Sequence, residues 1–494
     1  MNLRTQYMKW YYQKLVIAVM VSIVVETVMA ASIKINNNAP LTEQTWTDLK
    51  TILLNAATGD IIRVSGDLQR PAGETELLIV TNDIILSGGW NTNFTLQLWT
   101  GKSALSEEVS YYSVLDANGS ASDKARVLVI TNTATNVRVE GFKITRGYVY
   151  GADGGGIALH ASGCCLTHLH ITGNKSYRDY GGAGGVYISS GNTVLEYLTV
   201  TSNYTGRINS WAGVYGGAIK VDTTATNGRL IIANCFVAWN TVSDGASYGA
   251  GIEFRGPGNP PSVCHWTIFG CLISGHPVPA GNTVNLLGRG NGRANLVNCT
   301  MVDNSGGLLV SQEGGTGNWE RDNYVINCVL ADTYRTCAAD SNSQLKFQNT
   351  LIDPETPASD GSYFDGTKYI DLGGNIPNTQ PLFKNQSQGD YRLSRTSPAK
   401  GTGRVLYSSA GLGFAYVDID RNSSYDAGID VIVDIIEGNG QYVPSSTEYY
   451  YPRDINGSKW ISRTRYSSNE DLVGSMNMGA FGRLPAMGTV VFFK

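Results

Sequence analysis

The sequence predicts an all-β fold, a parallel β-solenoid, and three observations support this prediction. The 494-residue chain has 58 glycines and only 16% charged residues, a composition typical of β-rich surfaces. A short apolar strand recurs along much of the chain at intervals near 30 residues. A second motif, tyrosine then glycines then an apolar strand, recurs beside it, as in "VYGGAIKV" from Val214. Repeated units of two or three short strands are the pattern of stacked solenoid coils.

Residues 1–30 are predicted to be a signal peptide. Basic residues precede the apolar stretch "LVIAVMVSIVV", and small residues follow at Ala30. An uncleaved anchor is the alternative. No later run approaches the ~18 apolar residues that cross a membrane as a helix, so we expect an exported chain without a transmembrane span. The formal charge of −4 argues against a nucleic-acid partner, because phosphate binding requires a basic face.

Residues 31–60 are predicted to cap the solenoid. The segment "TWTDLKTILLNAATGD", from Thr45, places its apolar residues on one helical face. Thr45 and Asp48 have the spacing of a capping pair, and Gly59 is the predicted terminator. We expect this helix to cover the apolar open end of the first coil.

Residues 61–383 are predicted to form about ten coils of ~30 residues each. Equivalent apolar positions follow one another at steps of 27, 29, 37, 36, 28, 29 and 22 residues. These positions are Phe142, Leu169, Leu198, Cys235, Cys271, Cys299, Cys328 and Thr350. Stacked coils lie about 4.8 Å apart, so we expect an inward column in which reduced cysteines are small apolar fillers.

The residue before each column position predicts a turn in every coil. Gly or Asn occupies most of these positions, as at Asn234 and Asn298, and both tolerate a left-handed backbone. We also expect the stacked asparagine amides to hydrogen-bond to one another.

This pattern resembles right-handed parallel β-helix proteins of the pectin-lyase-like architecture. Residues 384–494, with the preceding "QPLF", resemble the closing coils of the secreted bacterial family called choice-of-anchor Q: "GDYRL", "SPA" and "GAF" match, whereas "KGTG" and Gly482 depart. The "GGA" units at Gly182 and Gly216 resemble repeats of polymorphic outer-membrane proteins, which are adhesins. The resemblances imply a protein that is secreted or held on the outer-membrane surface of a Gram-negative bacterium.

The repeated tyrosines predict a binding edge. Tyr150, Tyr180, Tyr215 and Tyr248 precede the glycine turns, one per coil, and we expect them to stand in one row. The neighbouring loops add Tyr177, Arg178, Asp179, Tyr204 and Trp211. Exposed aromatic rings beside planar hydrogen-bonding groups suit sugar rings or a protein surface. We therefore predict a monomeric, adhesin-like protein that binds an extracellular glycan or surface protein; a tyrosine stack that merely shields the turns is the alternative.

Two outward columns carry charge and polar groups. Lys220 and Glu253 fall on adjacent coils, as do Asp222 and Arg255, and His160 and Ser189 precede Asp222 in its column. A lyase centre with Lys220 or Arg255 as base is one hypothesis. Cross-strand charge pairs worth ~0.2–1 kcal/mol each are the other.

Motifs do not favour catalysis. The chain lacks the "DD" pair, "GHG" and "RIK" of β-helix hydrolases. A polysaccharide-degrading enzyme, lyase or glycoside hydrolase, is therefore the second hypothesis for function, and a purely structural surface protein is the third.

One segment suggests a metal site. In "DIDRNSSYD" the oxygen ligands alternate as in a calcium loop, at Asp418, Asp420, Asn422 and Asp426. The segment lacks the glycine at the sixth position and the acid at the twelfth. The alternative expectation is that the protein has no cofactor.

Overall fold

The computed structural model describes most of the chain between residues 31 and 402. The described ranges are 31–36, 38–74, 77–99, 112–209, 214–222, 228–243, 247–256, 264–277, 288–289, 292–304, 308–310, 322–333, 337–339, 344–353, 364, 366–367, 369–400 and 402, with strands 407–408, 414–417, 431–435, 465–466 and 472–473. The predicted signal peptide lies outside these ranges. Within them, no helix has the length and apolar character needed to cross a membrane.

The described chain is a right-handed parallel β-helix, as predicted. Its first sheet has thirteen strands, in the order Leu41–Gln44, Ala31–Ile35, Ile61–Ser65, Ile85–Ser87, Arg138–Glu140, Cys165–Thr167, Thr193–Glu196, Arg229–Ala233, Cys264–Phe269, Gly292–Val297, Asp322–Ile326, Gln344–Gln348 and Tyr369–Asp371. The second sheet has ten: Leu68–Gln69, Ser113–Asp116, Phe142–Thr145, His170–Thr172, Thr199–Thr201, Phe236–Ala238, Leu272–Ser274, Thr300–Asn304, Val329–Thr333 and Leu351–Ile352.

Two shorter parallel sheets complete the coils. The third sheet consists of Leu78–Val80, Leu128–Ile130, Ile157–Leu159, Val186–Ile188, Ile219–Asp222, Ile252–Arg255 and Gly288–Arg289. The fourth sheet consists of Tyr148–Tyr150, Lys175–Tyr177, Tyr204–Gly206 and Thr241–Val242. Further parallel pairs are Val214–Tyr215 with Ser247–Tyr248, and Leu308–Val310 with Cys337–Ala339. A middle coil visits the third, first, second and fourth sheets in turn.

The N-terminal cap forms, but its helix ends earlier than predicted: Ala56 is the C-cap, and Gly59, the predicted terminator, lies three residues beyond it. The helix α1 (Trp46–Asn55) buries Trp46, Leu49 and Leu53, and its capping box joins Thr45 and Asp48. The backbone N–H of Thr45 donates to Asp48 Oδ2 at 2.8 Å. The strand Ala31–Ile35 pairs antiparallel with Ile61–Ser65, which extends the first sheet beyond the first coil.

The predicted inward column is confirmed, but its cysteines are more than apolar fillers. Cys235, Cys271, Cys299 and Cys328 are fully buried free thiols. The backbone N–H of Cys235 lies 3.3 Å from Cys271 Sγ, and the Cys271 thiol donates to the carbonyl of Phe269 at 3.3 Å. Each thiol of the column thus also satisfies backbone groups at a turn.

The left-handed turn before this column is confirmed, whereas its predicted amide ladder is wrong. Asn234 and Asn298 have φ of 53° and 54°, yet the side-chain amide of Asn298 makes no hydrogen bond. The ladder forms instead at Asn174, Asn203 and Asn240. The amide of Asn174 donates to Asn203 Oδ1 at 3.0 Å, and that of Asn203 donates to Asn240 Oδ1 at 3.0 Å.

The C-terminal segment does not continue as coils at its start. Phe383–Asn385 and Asp390–Leu393 form an antiparallel hairpin. Leu393 and Ala399 pack in one apolar cluster with outward side chains of the second sheet, such as Leu272 and Val329. The predicted closing coils of residues 384–494 are therefore replaced, at residues 384–393, by a hairpin on the outside of the helix. Beyond it, short antiparallel strands follow: Tyr407–Ser408, Phe414–Val417 and Val431–Ile435, then Arg465–Tyr466 with Leu472–Val473.

Candidate functional site

The outer face of the fourth sheet is lined with tyrosines. Tyr148 is in register with Lys175 and Tyr204, and Tyr150 is in register with Tyr177. The ring centroids of Tyr148 and Tyr177 are 5.2 Å apart, and those of Tyr177 and Tyr204 are 5.5 Å apart. The rings therefore form a zigzag row across three consecutive coils. We call Tyr148, Tyr150, Tyr177 and Tyr204 the tyrosine face.

Alternation along each strand creates this face. The middle residues of the three tyrosine strands are Val149, Ser176 and Thr205. All three are buried, as the period of two in a β-strand requires. Gly206 makes room for the row: a Cβ at this position would lie 2.6 Å from the Tyr177 ring. The ring of Tyr177 thus lies over a position that only glycine leaves open.

The asparagine ladder positions the strands of this sheet. Asn174, Asn203 and Asn240 directly precede strands Lys175–Tyr177, Tyr204–Gly206 and Thr241–Val242. All three are fully buried, and their amides also donate to backbone carbonyls of the second sheet, for example Asn240 to Val200 at 2.8 Å. Since each amide bonds to two coils, the ladder fixes where every tyrosine strand starts.

The rim of the tyrosine face is exposed and positively charged. Tyr150 exposes 50% of its surface and Tyr180 exposes 52%. Lys124 Nζ lies 4.5 Å from the Tyr150 ring centroid, a cation–π distance. Burial and the neighbouring Tyr148 raise the pKa of Tyr177 to about 12, so this phenol is neutral and can donate a hydrogen bond at physiological pH.

The adjoining loops are held by ion pairs and hydrogen bonds. Arg178 pairs with the buried carboxylate of Asp153. Asp179 accepts the backbone N–H groups of Ile208 and Asn209, each at 2.9 Å. The hydrogen bond from the backbone N–H of Asn209 makes the largest contribution to lowering the pKa of Asp179. Both predicted polar residues of the edge therefore fix loop conformation in this structure.

The predicted single row of tyrosines is wrong. Tyr150 pairs with Tyr177 rather than with Tyr180, and Tyr180 lies beyond the end of its strand with φ of 53°. Tyr215 and Tyr248 are in register with each other in a separate pair of strands, Val214–Tyr215 and Ser247–Tyr248. The side chains of Tyr215 and Tyr248, and all of Trp211, lie outside the part of the chain that the structure describes.

Sequence reasoning missed Tyr148 of the tyrosine face, whereas it expected Trp239 in a loop beside the edge. Tyr148 opens the first strand of the tyrosine face, in "YVY", where alternation alone would have paired it with Tyr150 on one face. Trp239 is exposed and precedes the ladder residue Asn240, with φ of 53°. It occupies the turn that leads to the fourth strand of the sheet.

The predicted register of the charged group is confirmed, but its exposure differs from expectation. Lys220 pairs with Glu253, and Asp222 with Arg255. Lys220 is only 1% exposed and Glu253 is 0% exposed. Lys220 Nζ lies 3.6 Å from Asp222 Oδ2 and 5.7 Å from the Tyr187 ring centroid. A polymer chain cannot contact Lys220 or Glu253 in this arrangement, whereas Arg255 is exposed.

The predicted calcium ligands Asp418, Asp420, Asn422 and Asp426 lie outside the described ranges. Within those ranges, no three side chains of His, Cys, Asp or Glu are grouped so that they could hold a metal ion.

Comparisons with known proteins give one structural similarity. No protein-family model matches the chain, and no curated protein matches it. The structure is similar to the crystal structure of pectate lyase Pel9A, with a TM-score of 0.39 and 15% identity over 73% of this chain and 88% of that chain. At this identity and TM-score the similarity carries no argument about function.

Proposed function

We propose that this protein is exported and binds an extracellular glycan on its tyrosine face, as an adhesin-like protein of the cell surface or medium. The observation that carries the proposal is the row of tyrosine rings at 5.2 Å and 5.5 Å, with Tyr150 half exposed at its rim. The leader-like residues 1–30 and the tail resembling choice-of-anchor Q support export.

The dimensions of the face suit a short stretch of sugar. Coils rise about 4.8 Å each, so tyrosines on three coils extend over about 10 Å, the length of a disaccharide. The apolar faces of sugar rings pack on aromatic rings, while phenol groups supply hydrogen bonds. Lys124 adds a donor at the rim, and the exposed Lys175 adds one within the face, between Tyr148 and Tyr204.

Burial of Lys220 and Glu253 argues against the lyase hypothesis with Lys220 as base. A general base must come within hydrogen-bond reach of the proton that it removes, and Lys220 is only 1% exposed. Lys220→Ala should therefore leave any unsaturated product from uronate-containing glycans unchanged, whereas Arg255, which is exposed, is the base that the lyase hypothesis retains. Release of such a product, measured by its absorbance, would favour the enzyme instead.

A glycan array compared across tyrosine variants tests the proposal. Tyr150→Ala removes an exposed ring and should weaken binding about tenfold, which corresponds to ~1.4 kcal/mol. Tyr150→Phe is the matched control, because it keeps the ring and loses only the hydroxyl group. The proposal would be contradicted if the wild type bound no glycan. It would also be contradicted if Tyr150→Ala bound every recognised glycan as tightly as the wild type.

A further inference from the structure

A second polar column lies on the outer face of the third sheet, beside Lys220 and Glu253. His160 follows strand Ile157–Leu159, and Ser189 follows the neighbouring strand Val186–Ile188. Asp222 and Arg255 end the next two strands. The four side chains therefore stand on four consecutive coils, and the proposed glycan function uses none of them.

Ser189 and His160 form a hydrogen-bonded dyad. His160 Nδ1 lies 2.7 Å from Ser189 Oγ, within the distance required between a nucleophile and its base. Both side chains are half-buried and therefore reachable from solvent. The ring of Tyr187 lies 5.9 Å from the imidazole at an angle of 66°, and this edge-on contact holds the imidazole plane.

The surroundings favour the protonation state that a base requires. Burial and the nearby Arg126 lower the pKa of His160, so the imidazole is neutral at pH 7. When the proton is on Nε2, Nδ1 accepts the hydrogen bond of the Ser189 hydroxyl group.

The carboxylate next to the dyad is paired with cations. Asp222 is the neighbour of Ser189 on the following coil, and Arg255 reaches back to it, with Nη1 at 4.0 Å from Asp222 Oδ2. Lys220 Nζ also lies 3.6 Å from Asp222 Oδ2, so two cations offset the negative charge beside Ser189.

We propose that Ser189 and His160 are a catalytic dyad that hydrolyses small acyl esters on carbohydrate hydroxyl groups. The carbohydrate substrate rests on the proposed glycan binding, because only six residues separate Tyr150 of the tyrosine face from Ile157, whose strand leads to His160. A glycan bound on that face would bring its ester groups toward the dyad.

The reaction needs only water as co-reactant. Ser189 Oγ attacks the ester carbonyl while its proton passes to His160 Nδ1, and the sugar oxygen leaves with that proton. The acyl group is then on Ser189. Water attacks this acyl-enzyme, His160 takes and returns the proton, and the carboxylic acid and the free serine are formed.

Two assays on the full-length chain test the dyad without any glycan. A fluorophosphonate probe should label Ser189, as read by peptide mass spectrometry, and the chain should hydrolyse 4-nitrophenyl acetate. Ser189→Ala should abolish labelling and lower the hydrolysis rate by ~10²–10⁴-fold. His160→Gln should lower the rate similarly at an unchanged melting temperature, which separates loss of the base from loss of the fold.

Ser162→Ala is the matched control, because Ser162 follows the same strand as His160 and its hydroxyl group only donates to the Gly191 carbonyl, at 3.0 Å. It should react like the wild type. Labelling of another residue, or equal hydrolysis by wild type and Ser189→Ala, would overturn the proposal. Because neither substrate is a glycan, failure here leaves the proposed glycan binding intact, and failure on the glycan array leaves the dyad intact.

Discussion

The two halves of the β-helix are alike inside and different outside. In the second sheet, the outward column reads Lys143, His170 and Thr199 before residue 210. The same column continues as Phe236 and Leu272 after residue 228. These last two side chains are buried and belong to the apolar cluster that also contains Leu393 of the C-terminal hairpin.

The first sheet changes at the same coil. Its outward column contains Thr167 and Glu196 in the N-terminal half, then Ala233, Phe269 and Val297 in the C-terminal half. The late strand Val431–Ile435 contacts Arg229–Ala233 and Cys264–Phe269.

This difference separates two kinds of outer surface on one fold. Inward columns specify the coil, whereas outward columns decide whether a face packs against the chain's own C-terminal segment or stays available. The tyrosine face lies in the half whose outer columns are polar, where the first three strands of the fourth sheet are found. The proposed glycan binding therefore falls in the half that the C-terminal segment leaves uncovered in the described structure.

The largest expected effect comes from a charge placed in the outward column. Leu272→Asp would bury an unpaired carboxylate, because Leu272 is 1% exposed, and should destabilise the fold by ~3–5 kcal/mol. Lys143→Asp, in the same column of the other half, should change stability by less than ~1 kcal/mol. Urea unfolding measures the free energy of unfolding of both variants. Similar losses in the two variants would contradict the difference between the halves.

The next effect is a dependence on pH that arises in the C-terminal half. His276 continues the asparagine ladder there, with its Nδ1 3.1 Å from the backbone nitrogen of Asn240. Burial lowers its pKa from 6.5 to about 4. Between these values the unfolded chain binds more protons than the folded chain, so stability falls as pH drops from about 6.5 to about 4, by roughly 2–3 kcal/mol for this residue.

His276→Asn should remove that share of the acid sensitivity, since asparagine does not titrate in this range. His168 and His170 also have pKa values lowered to about 4 by burial, so part of the dependence should remain. Urea unfolding at pH 7 and pH 4.5 gives the comparison. An unchanged difference between the two pH values would show that His276 does not contribute.

A smaller effect is expected from the ladder beneath the tyrosine face. Asn203→Ala leaves the backbone N–H of Asn174 without the acceptor that lies 3.1 Å away, and loses the bond to Asn240. The cost should be ~1–3 kcal/mol. Because Asn203 fixes the start of strand Tyr204–Gly206, glycan binding should weaken as well. If the Asn203→Ala protein were destabilised but bound glycan normally, the asparagine ladder would not position the binding site.

The smallest change in free energy is expected at Gly206. Its φ is not in the left-handed region, so Gly206→Ala should alter stability by less than ~1 kcal/mol. The added Cβ would nevertheless lie 2.6 Å from the Tyr177 ring and push it out of the row. Calorimetric titration should show about tenfold weaker glycan binding, ~1.4 kcal/mol, and an unaltered affinity would mean that the row is not the binding surface.

The sequence predicted the fold and the inward column because stacking forces residue types to recur at one position per coil. The steps that align Leu169 with Cys235 also align Asn174 with Asn240, so the true ladder was visible in the same repeats. The register of Lys220 with Glu253 was predictable for the same reason, since the glycine turns preceding them align.

Three features could not be derived from periodicity. Counting tyrosines back from the glycine turns assumed turns of equal length, but Tyr150 precedes its strand of the third sheet by seven residues and Tyr180 by six. The burial of Lys220 depends on what lies over an outward position, and the repeat specifies only which side of a strand a residue occupies. The C-terminal hairpin likewise packs on an outer face that a coil pattern does not describe.

Hydrogen exchange with and without a bound glycan tests the central claim most directly. Binding should slow amide exchange in strands Tyr148–Tyr150, Lys175–Tyr177 and Tyr204–Gly206, and leave Ile252–Arg255 unchanged. Protection of Ile219–Asp222 and Ile252–Arg255, with none in the three tyrosine strands, would place the ligand at the charged group and contradict this account.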